Sequence, residues 1–371
     1  MGLANSKILR QVLNGYDDHT NYFIVPNQMF YDGDLNYIRL QDKDPSRLDI
    51  ESILDKMKSV GKTLCDYCHI TQGIVTGADK LSKSHINKYQ IDGRKGDGIF
   101  VLSQQEVESL CLSVSERQFL KPWFKNSDVN KWFSNESSNE NLIYYTSKEN
   151  RNIGENLLCH FEKYKPILIN RNTRSGTPII TPDIYDAFVK GSYEISYVMV
   201  ASAFQRGAYY CVSYARDTGV DYFESPKIIV PQRSKTNTFA YNEIPWYASA
   251  DVYFITEKNK SFELKYILAL LNSRLYFQWL YHRGKLKGDS LELYLIPLSE
   301  IPIKEVSTQD QKPFVNIVNK IVAITKNIDY LDNSAKQIKV KEYERQIDRM
   351  VYELYELTEE EIKIVEGKSE P

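Results

Sequence analysis

The stretch Ser225–Asn242, SPKIIVPQRSKTNTFAYN, constrains this chain more than any other. Ile228, Ile229 and Val230 are consecutive and β-branched, which favours a short buried strand. Pro231 cannot donate to a sheet ladder and is expected to stop that strand. Gln232, Arg233, Ser234, Lys235, Thr236, Asn237 and Thr238 follow, with no acidic group among them. A buried strand that ejects a cationic, amide- and hydroxyl-rich loop has two readings. It is a solvated hairpin loop, or it holds phosphates and reads base edges.

Charge distribution bears on that choice. The net charge of −2 over 371 residues is unevenly spread. Residues 165–288 carry 16 Lys and Arg against 10 Asp and Glu, whereas residues 289–371 carry 11 against 17 and residues 1–164 carry 20 against 22. A basic middle beside an acidic end suits a module that binds a polyanion. With 42% hydrophobic and 26% charged residues the chain is globular and long enough for more than one unit. It has no apolar run of membrane-spanning length and opens with no charged-then-apolar signal, so the cytoplasm is the expected location and no membrane partner is expected. Five cysteines, an odd number, point to reduced thiols. Cys65 and Cys68 form a CxxC followed by His69, but no second pair stands at zinc-ribbon spacing and haem attachment would need export. Two half-buried thiols are expected, with no metal.

Taken in order, the chain alternates short strands and helices. Leu3–Leu13 is a helix candidate, Tyr22–Val25 a strand, and Ile50–Val60 a helix ended by Gly61. In CHITQGIVTGADK, Gly73 and Gly77 bracket a tight strand and turn, and the Walker Gly-Lys-Ser/Thr is missing. Lys80, Lys83, Lys88, Arg94 and Lys95 then fall in a Gly-rich surface loop within reach of DNA. Leu120–Trp132 reads as a loop-to-helix turn with Trp123 and Trp132 as core anchors. Ile143–Thr146 is a strand. Ile167–Ile169 is another, emptying into Asn170, Arg171, Asn172, Thr173, Arg174 and Ser175, a second acid-free loop. Strands at Tyr197–Ala203 and Tyr209–Tyr214 flank Arg206, and Asp251–Thr256 is one more. Phe262–His282 carries Ile267, Leu268, Leu271, Leu275 and Trp279 at helical spacing. Arg283, Lys285 and Lys287 follow, either complementing the helix C-terminus or touching phosphate.

After Ile303 the pattern changes. Phe314, Ile317, Val318, Ile321, Ile324, Ile328 and Leu331 lie at helical spacing, as do Tyr343, Ile347, Met350, Val351, Leu354 and Leu357. Two amphipathic helices around a turn at Asp332–Ser334 form an antiparallel pair, and Thr358 starts a last acidic helix. The fold class is α+β, with mixed short-strand sheets and helices forming a recognition unit ahead of that helix pair. Residues 1–60 read as a connector, 61–305 as the recognition unit and 306–371 as a helical spacer or docking region. No catalytic constellation assembles: there is no S-adenosylmethionine-binding glycine turn, no Asn/Asp-Pro-Pro-Tyr/Phe tetrad, no Walker sequence, no HExxH and no GxSxG. A PD…ExK nuclease fails because Ser196 stands where lysine belongs.

Six phrases in order resemble a known family. They are GIVTGADK (73–80), SPKIIVPQRS (225–234), FAYN (239–242), ILALLNSRLYFQWL (267–280), GKLKGDSLEL (284–293) and LSEIPI (298–303), the fifth read as a linker. Together they resemble the TaqI-like specificity domain, the target-recognition half of N6-adenine DNA methyltransferases and of type IIG restriction–modification enzymes. IDRMVYELYELTEEEIKIVEG (347–367) is similar to the carboxyl end of such enzymes. The resemblance implies that this half grips double-stranded DNA and reads the major groove, while a methyltransferase domain, absent here, binds S-adenosylmethionine and methylates a flipped adenine. It implies no cofactor in this chain, and as partners DNA and a methyltransferase, with or without a nuclease. Under that reading Lys80, Lys83, Arg94, Lys95, Asn170, Arg171, Asn172, Thr173, Arg174, Arg206, Gln232, Arg233, Ser234, Lys235, Asn237, Arg283, Lys285 and Lys287 are the DNA-contact set, with Arg233, Ser234 and Lys235 foremost. The competing expectation is a non-enzymatic subunit that binds a protein through its C-terminal helix pair.

Overall fold

The computed structural model describes residues 31–32, 37–38, 50–74, 76, 78–144, 154–169, 222–258 and 262–367. Among them the strands are β1 (Tyr31–Asp32), β2 (Tyr37–Ile38), β3 (Cys68–Gln72), β4 (Val101–Ser103), β5 (Leu120–Phe124), β6 (Glu140–Ile143), β7 (Lys227–Pro231), β8 (Arg233–Ser234), β9 (Ala240–Asn242), β10 (Tyr247–Ala248), β11 (Val252–Glu257), β12 (Lys285–Lys287) and β13 (Ser290–Glu292). The central sheet is antiparallel in the order β3-β11-β7-β9. A second sheet, β10-β5-β6-β4, is antiparallel except that β10 runs parallel to β5. A three-stranded ribbon, β12-β13-β8, is antiparallel throughout. β1 and β2 form an antiparallel pair of their own. The architecture is α+β, as expected.

Every residue of β7 is buried, because the central sheet partitions two cores. Ile228 and Val230, with Tyr253 and Ile255 opposite, face one core. Ile229, with Val252 and Phe254, faces the other. The alternation follows from the two-residue period of a strand. Gly73 sits where a Cβ would fall 2.2 Å from the Ser249 carbonyl oxygen, so only glycine lets β3 leave the sheet against that backbone.

The first core is helical. Ile53, Leu54 and Met57 of the Ile50–Lys58 helix pack with residues of the Leu264–Asn272 and Arg274–His282 helices and with Phe314, Val318, Ile321, Val340, Ile347, Val351 and Val365. The C-terminal helices Thr308–Thr325, Ser334–Leu354 and Glu359–Glu366 thus share one core with the sheet. Trp132 ties the halves together: its backbone bridges Ala240, and its indole Nε1 donates to Glu344 at 2.7 Å. Trp123 and Trp132 are both core residues, as expected.

Several local expectations change. β7 does end at Pro231, as expected, and Pro231 pairs with Val252 where its missing N–H costs no ladder bond. Lys165–Ile169 is a helical turn rather than a strand, since Pro166 is tolerated in a first turn and a short apolar run does not distinguish the two. The single helix expected over Phe262–His282 is two. Ser273 adopts an extended conformation between them and its hydroxyl accepts from the Tyr276 amide, capping the second helix. The loop after Lys80 contains a helix, Lys83–Tyr89, with Ser82 as its cap. Leu120–Phe124 is a strand, and only a single 3-10 turn follows at Asn126–Asp128. The strand expected at Ile143–Thr146 is Glu140–Ile143. The 284–293 linker is a hairpin. Ile328 and Leu331 leave the helical stripe and are exposed, in a connection that includes the 3-10 turn Tyr330–Asp332. Leu3–Leu13, Tyr22–Val25, Tyr197–Ala203 and Tyr209–Tyr214 lie outside the described residues.

Two polar side chains, the buried Asn237 and the half-buried Asp348, organise the break at Ser273. The Asn237 side-chain amide donates to the carbonyls of Leu271 and Ser273, each at 2.8 Å. The Leu271 carbonyl is one that the end of the first helix leaves without a helical partner, whereas the Ser273 carbonyl also accepts from the Phe277 amide at 3.1 Å. Asn237→Ala is therefore expected to cost about 1–3 kcal/mol of stability, measured by urea unfolding. At the start of the following helix, the Arg274 amide donates to Asp348 Oδ1 at 2.7 Å. Burial pushes the Asp348 carboxyl up to about 6, against the opposing effect of that amide bond. The folded state then holds a proton that the unfolded state releases near its ordinary value, so this group's contribution falls as pH rises from about 4 to about 6. Asp348→Asn keeps the accepting oxygen and is expected to remove up to about 3 kcal/mol of that pH dependence. Chemical denaturation at a series of pH values checks it.

Candidate nucleic-acid interface

The ribbon is the feature that gathers cationic side chains from distant parts of the chain. Leu291 and Leu293 both enter the helical core, so the residue between them, Glu292, faces the other way, and Tyr294, partly buried against that core, reaches it with its hydroxyl. Glu292 pairs with Lys285 on one side and Arg233 on the other. Directly opposed residues share a face, so Lys285, Glu292 and Arg233 form one outward row. Lys287 pairs with Ser290 on the same side, and Lys235 follows β8 as an exposed side chain. Gly288 and Asp289 make the two-residue turn, with Gly288 at φ +60°, the left-handed conformation that tight hairpins need. Four cations thus stand on or beside one face against Glu292 and the turn residue Asp289.

The row is tightly bonded. Lys285 Nζ lies 3.1 Å from one Glu292 oxygen and Arg233 Nη2 lies 3.4 Å from the other. The Arg233 guanidinium also donates to the Tyr294 hydroxyl at 3.2 Å, and that hydroxyl donates to Glu292 at 3.2 Å. Lys285 Nζ sits 5.2 Å from the Tyr294 ring centroid, within cation–π range. The Glu292 side chain is 6% exposed, while those of Arg233 and Lys285 are 48% and 63% exposed. Burial disfavours the Glu292 charge, yet bonds from Lys285 and Tyr294 and the charges of Lys285 and Arg233 hold the carboxyl below its usual range.

β7 positions this arrangement. The Gln232 amide donates to the Asp251 carbonyl at 2.8 Å, and the Gln232 carbonyl accepts from the Leu293 amide at 2.9 Å. Arg233 therefore leaves the central sheet at a fixed point. Ser234 turns inward, its hydroxyl 2.8 Å from that of Thr238.

Other expected contact residues fall elsewhere. Asn237 is wholly buried, with its amide spent on helix carbonyls, which removes it from the contact set. Arg283 is also removed: its side chain is 7% exposed and its guanidinium binds Glu51 and Asp55, 2.9 Å from the latter. Lys80 is paired with Glu140, which Lys125 also approaches at 2.7 Å. Those three residues line an open cleft of about 540 Å³ together with Asp79, His85 and Trp123. Burial raises the Asp79 carboxyl above its ordinary range, against a bond from the Thr76 hydroxyl. Lys83, Arg94 and Lys95 are exposed on the segment whose Leu81, Ile86 and Ile91 pack on the second core, so they stand apart from the ribbon. Asn170, Arg171, Asn172, Thr173, Arg174 and Arg206 lie outside the described residues. Sequence reasoning missed Glu292 and Tyr294. The alternation of Leu291 and Leu293 was the signal that would have put Glu292 on the cationic face.

Comparison with known proteins accords with this geometry. Residues 121–303 match the model of the TaqI-like C-terminal specificity domain. The type II methyltransferase M.HincII of Haemophilus influenzae is 30% identical over 107 residues, 27% of this chain and 21% of that protein. The type II methyltransferase M.HindII of the same species is 23% identical over 249 residues, 65% of this chain and 38% of that protein. A structure of the type IIL restriction-modification enzyme MmeI in complex with DNA superposes with a TM-score of 0.51 at 10% identity, over 82% of this chain and 35% of that one, which is a likeness of fold. The chain spans between a fifth and two fifths of the length of these proteins. Among the described residues no helix is long and apolar enough to cross a membrane. Both strands that bracket the ribbon's exit point, β7 and β11, lie inside the segment that is similar to the TaqI-like C-terminal specificity domain, and so does the whole ribbon.

Proposed function

We propose that this chain is the double-stranded-DNA recognition module of an adenine-specific methyltransferase or restriction–modification enzyme, and that the ribbon β12-β13-β8 is part of its DNA-reading surface. The observation that carries the reading is the outward row Lys285–Glu292–Arg233 flanked by Lys287 and Lys235, inside the segment that matches a specificity domain. A β-ribbon fits the major groove, where arginine and lysine pair with guanine edges. Lys235 and Lys287 suit phosphate contact, since each is exposed and neither is held in the Glu292 network. Methylation itself is assigned to a methyltransferase domain that binds S-adenosylmethionine, and that domain is the natural protein partner.

Under this reading the full chain binds short duplexes of mixed sequence, and binding weakens steeply with salt. Four cations on the ribbon correspond to a log–log slope of roughly −2 to −4, depending on how far Glu292 neutralises its two neighbours. The double variant Lys235→Ala/Lys287→Ala is expected to make the slope shallower by about two and to leave the unfolding temperature unchanged. Fluorescence anisotropy titrations between about 50 and about 200 mM salt check this. An unchanged slope, or no duplex binding by the parent chain, would contradict the assignment.

One observation favours a second role for the C-terminal helices. Ile328, Leu331 and Ile338 are all largely exposed around the connection between the two long helices. Such apolar side chains on a polar surface suit contact with another protein surface, and this role is compatible with DNA reading by the ribbon.

A further inference from the structure

Glu292 is an unusual residue to find in a surface for polyanions. Its side chain is nearly buried, it is ionised, and it occupies the centre of the cationic row rather than the rim. Its three contacts are Lys285, Arg233 and the Tyr294 hydroxyl. A carboxylate in that position subtracts from attraction to phosphates, so its presence needs another explanation than charge.

We infer that Glu292, with Tyr294, is a positioning residue that sets specificity: it locks Arg233 and Lys285 into a fixed outward geometry, so that they read base edges instead of gripping phosphates. The inference rests on the DNA-reading role proposed above. Arginine and lysine are long, rotamer-rich side chains, and a free one settles on any phosphate within reach. Arg233 Nη2 is held by two groups, the carboxylate and the Tyr294 hydroxyl, which restrains the end of the side chain while leaving about half of it open. Lys285 is held between the same carboxylate and the face of the Tyr294 ring. Each cation is partly neutralised, so it adds little to sequence-independent affinity. What it retains is direction, which base readout requires.

Glu292→Gln in the full chain tests this. The glutamine keeps the shape and an accepting oxygen but frees two cations. Binding to a mixed-sequence duplex should tighten severalfold, with a salt slope steeper by about one. Selectivity should fall at the same time. When a randomised duplex library is sequenced before and after capture, the enrichment of preferred sequences should drop roughly tenfold. Asp289→Asn is the charge control, because it removes the same charge from the hairpin turn without touching the row. It should tighten mixed-sequence binding and leave enrichment intact. Tyr294→Phe retains the carboxylate and the ring and loses one of the two Arg233 contacts. It should lower enrichment with little change in salt slope, and it decides the matter if Glu292→Gln does not fold. Enrichment unchanged in both Glu292→Gln and Tyr294→Phe, or lowered equally in Asp289→Asn, would overturn the inference while leaving the DNA-binding role in place. A parent chain that binds no duplex would overturn both.

Discussion

The structure depends on the two-sided burial of β7. Ile228 and Val230 belong to one core and Ile229 to the other, so the strand is held from both faces at once. A slip of one residue would exchange every side chain between the two cores and push the wholly buried Lys227 out of its bonds to the Ser225 and Ile244 carbonyls. Register is therefore strongly specified. Because it is, the residues after Pro231 leave the sheet at one place, and Gln232 is fixed there between Asp251 and Leu293. The ribbon inherits its position from the rigidity of the strand.

The helical half supports the same point from behind. The Leu264–Asn272 helix lies against β7 and β9, and polar bonds tie its joint with the next helix to the sheet: Asn237 to Leu271 and Ser273, and Asn272 to both backbone groups of Phe239. The C-terminal helices close the other side of this core through Val318, Ile321, Ile347 and Val351. Each fully buried aliphatic side chain contributes about 1.5–3 kcal/mol, so this packing is a large share of what keeps the sheet in place. A recognition surface built on short strands needs such backing, since β8 has only two residues of its own.

Much of this was legible in the residues. The strand at Ile228–Val230, the helix at Ile50, the C-terminal pair and the α+β class all follow from periodicity, and the family-like phrases around Ser225 fall inside the segment that matches the specificity-domain model. What failed did so for identifiable reasons. Ile167–Ile169 carries no signal that separates a strand from a helical turn. The break at Ser273 was signalled only by Asn272-Ser273, two residues suited to caps, inside an otherwise continuous apolar pattern. Among the expected contact residues, Asn237 and Arg283 have the right chemistry but the wrong surroundings, because burial is decided by elements far away in sequence. The ribbon itself was not legible as one object. Its central pairing joins Arg233 to Glu292, and no local pattern announces a register across that separation.

The acid-free stretch after β7 thus divides into parts with different work. Gln232 is a hinge pin, Arg233 and Lys235 are presented outward, Ser234 faces inward, and Asn237 and Thr238 belong to the interior. Cationic content alone did not define the surface; strand parity did. Lysine-reactivity footprinting of the full chain, with and without a mixed-sequence duplex, tests this most directly. The account predicts that Lys235, Lys285 and Lys287 become protected together on DNA binding, while Lys320 and Lys339 of the C-terminal helices stay reactive. Unchanged reactivity of the three ribbon lysines in a chain that demonstrably binds duplex would contradict it.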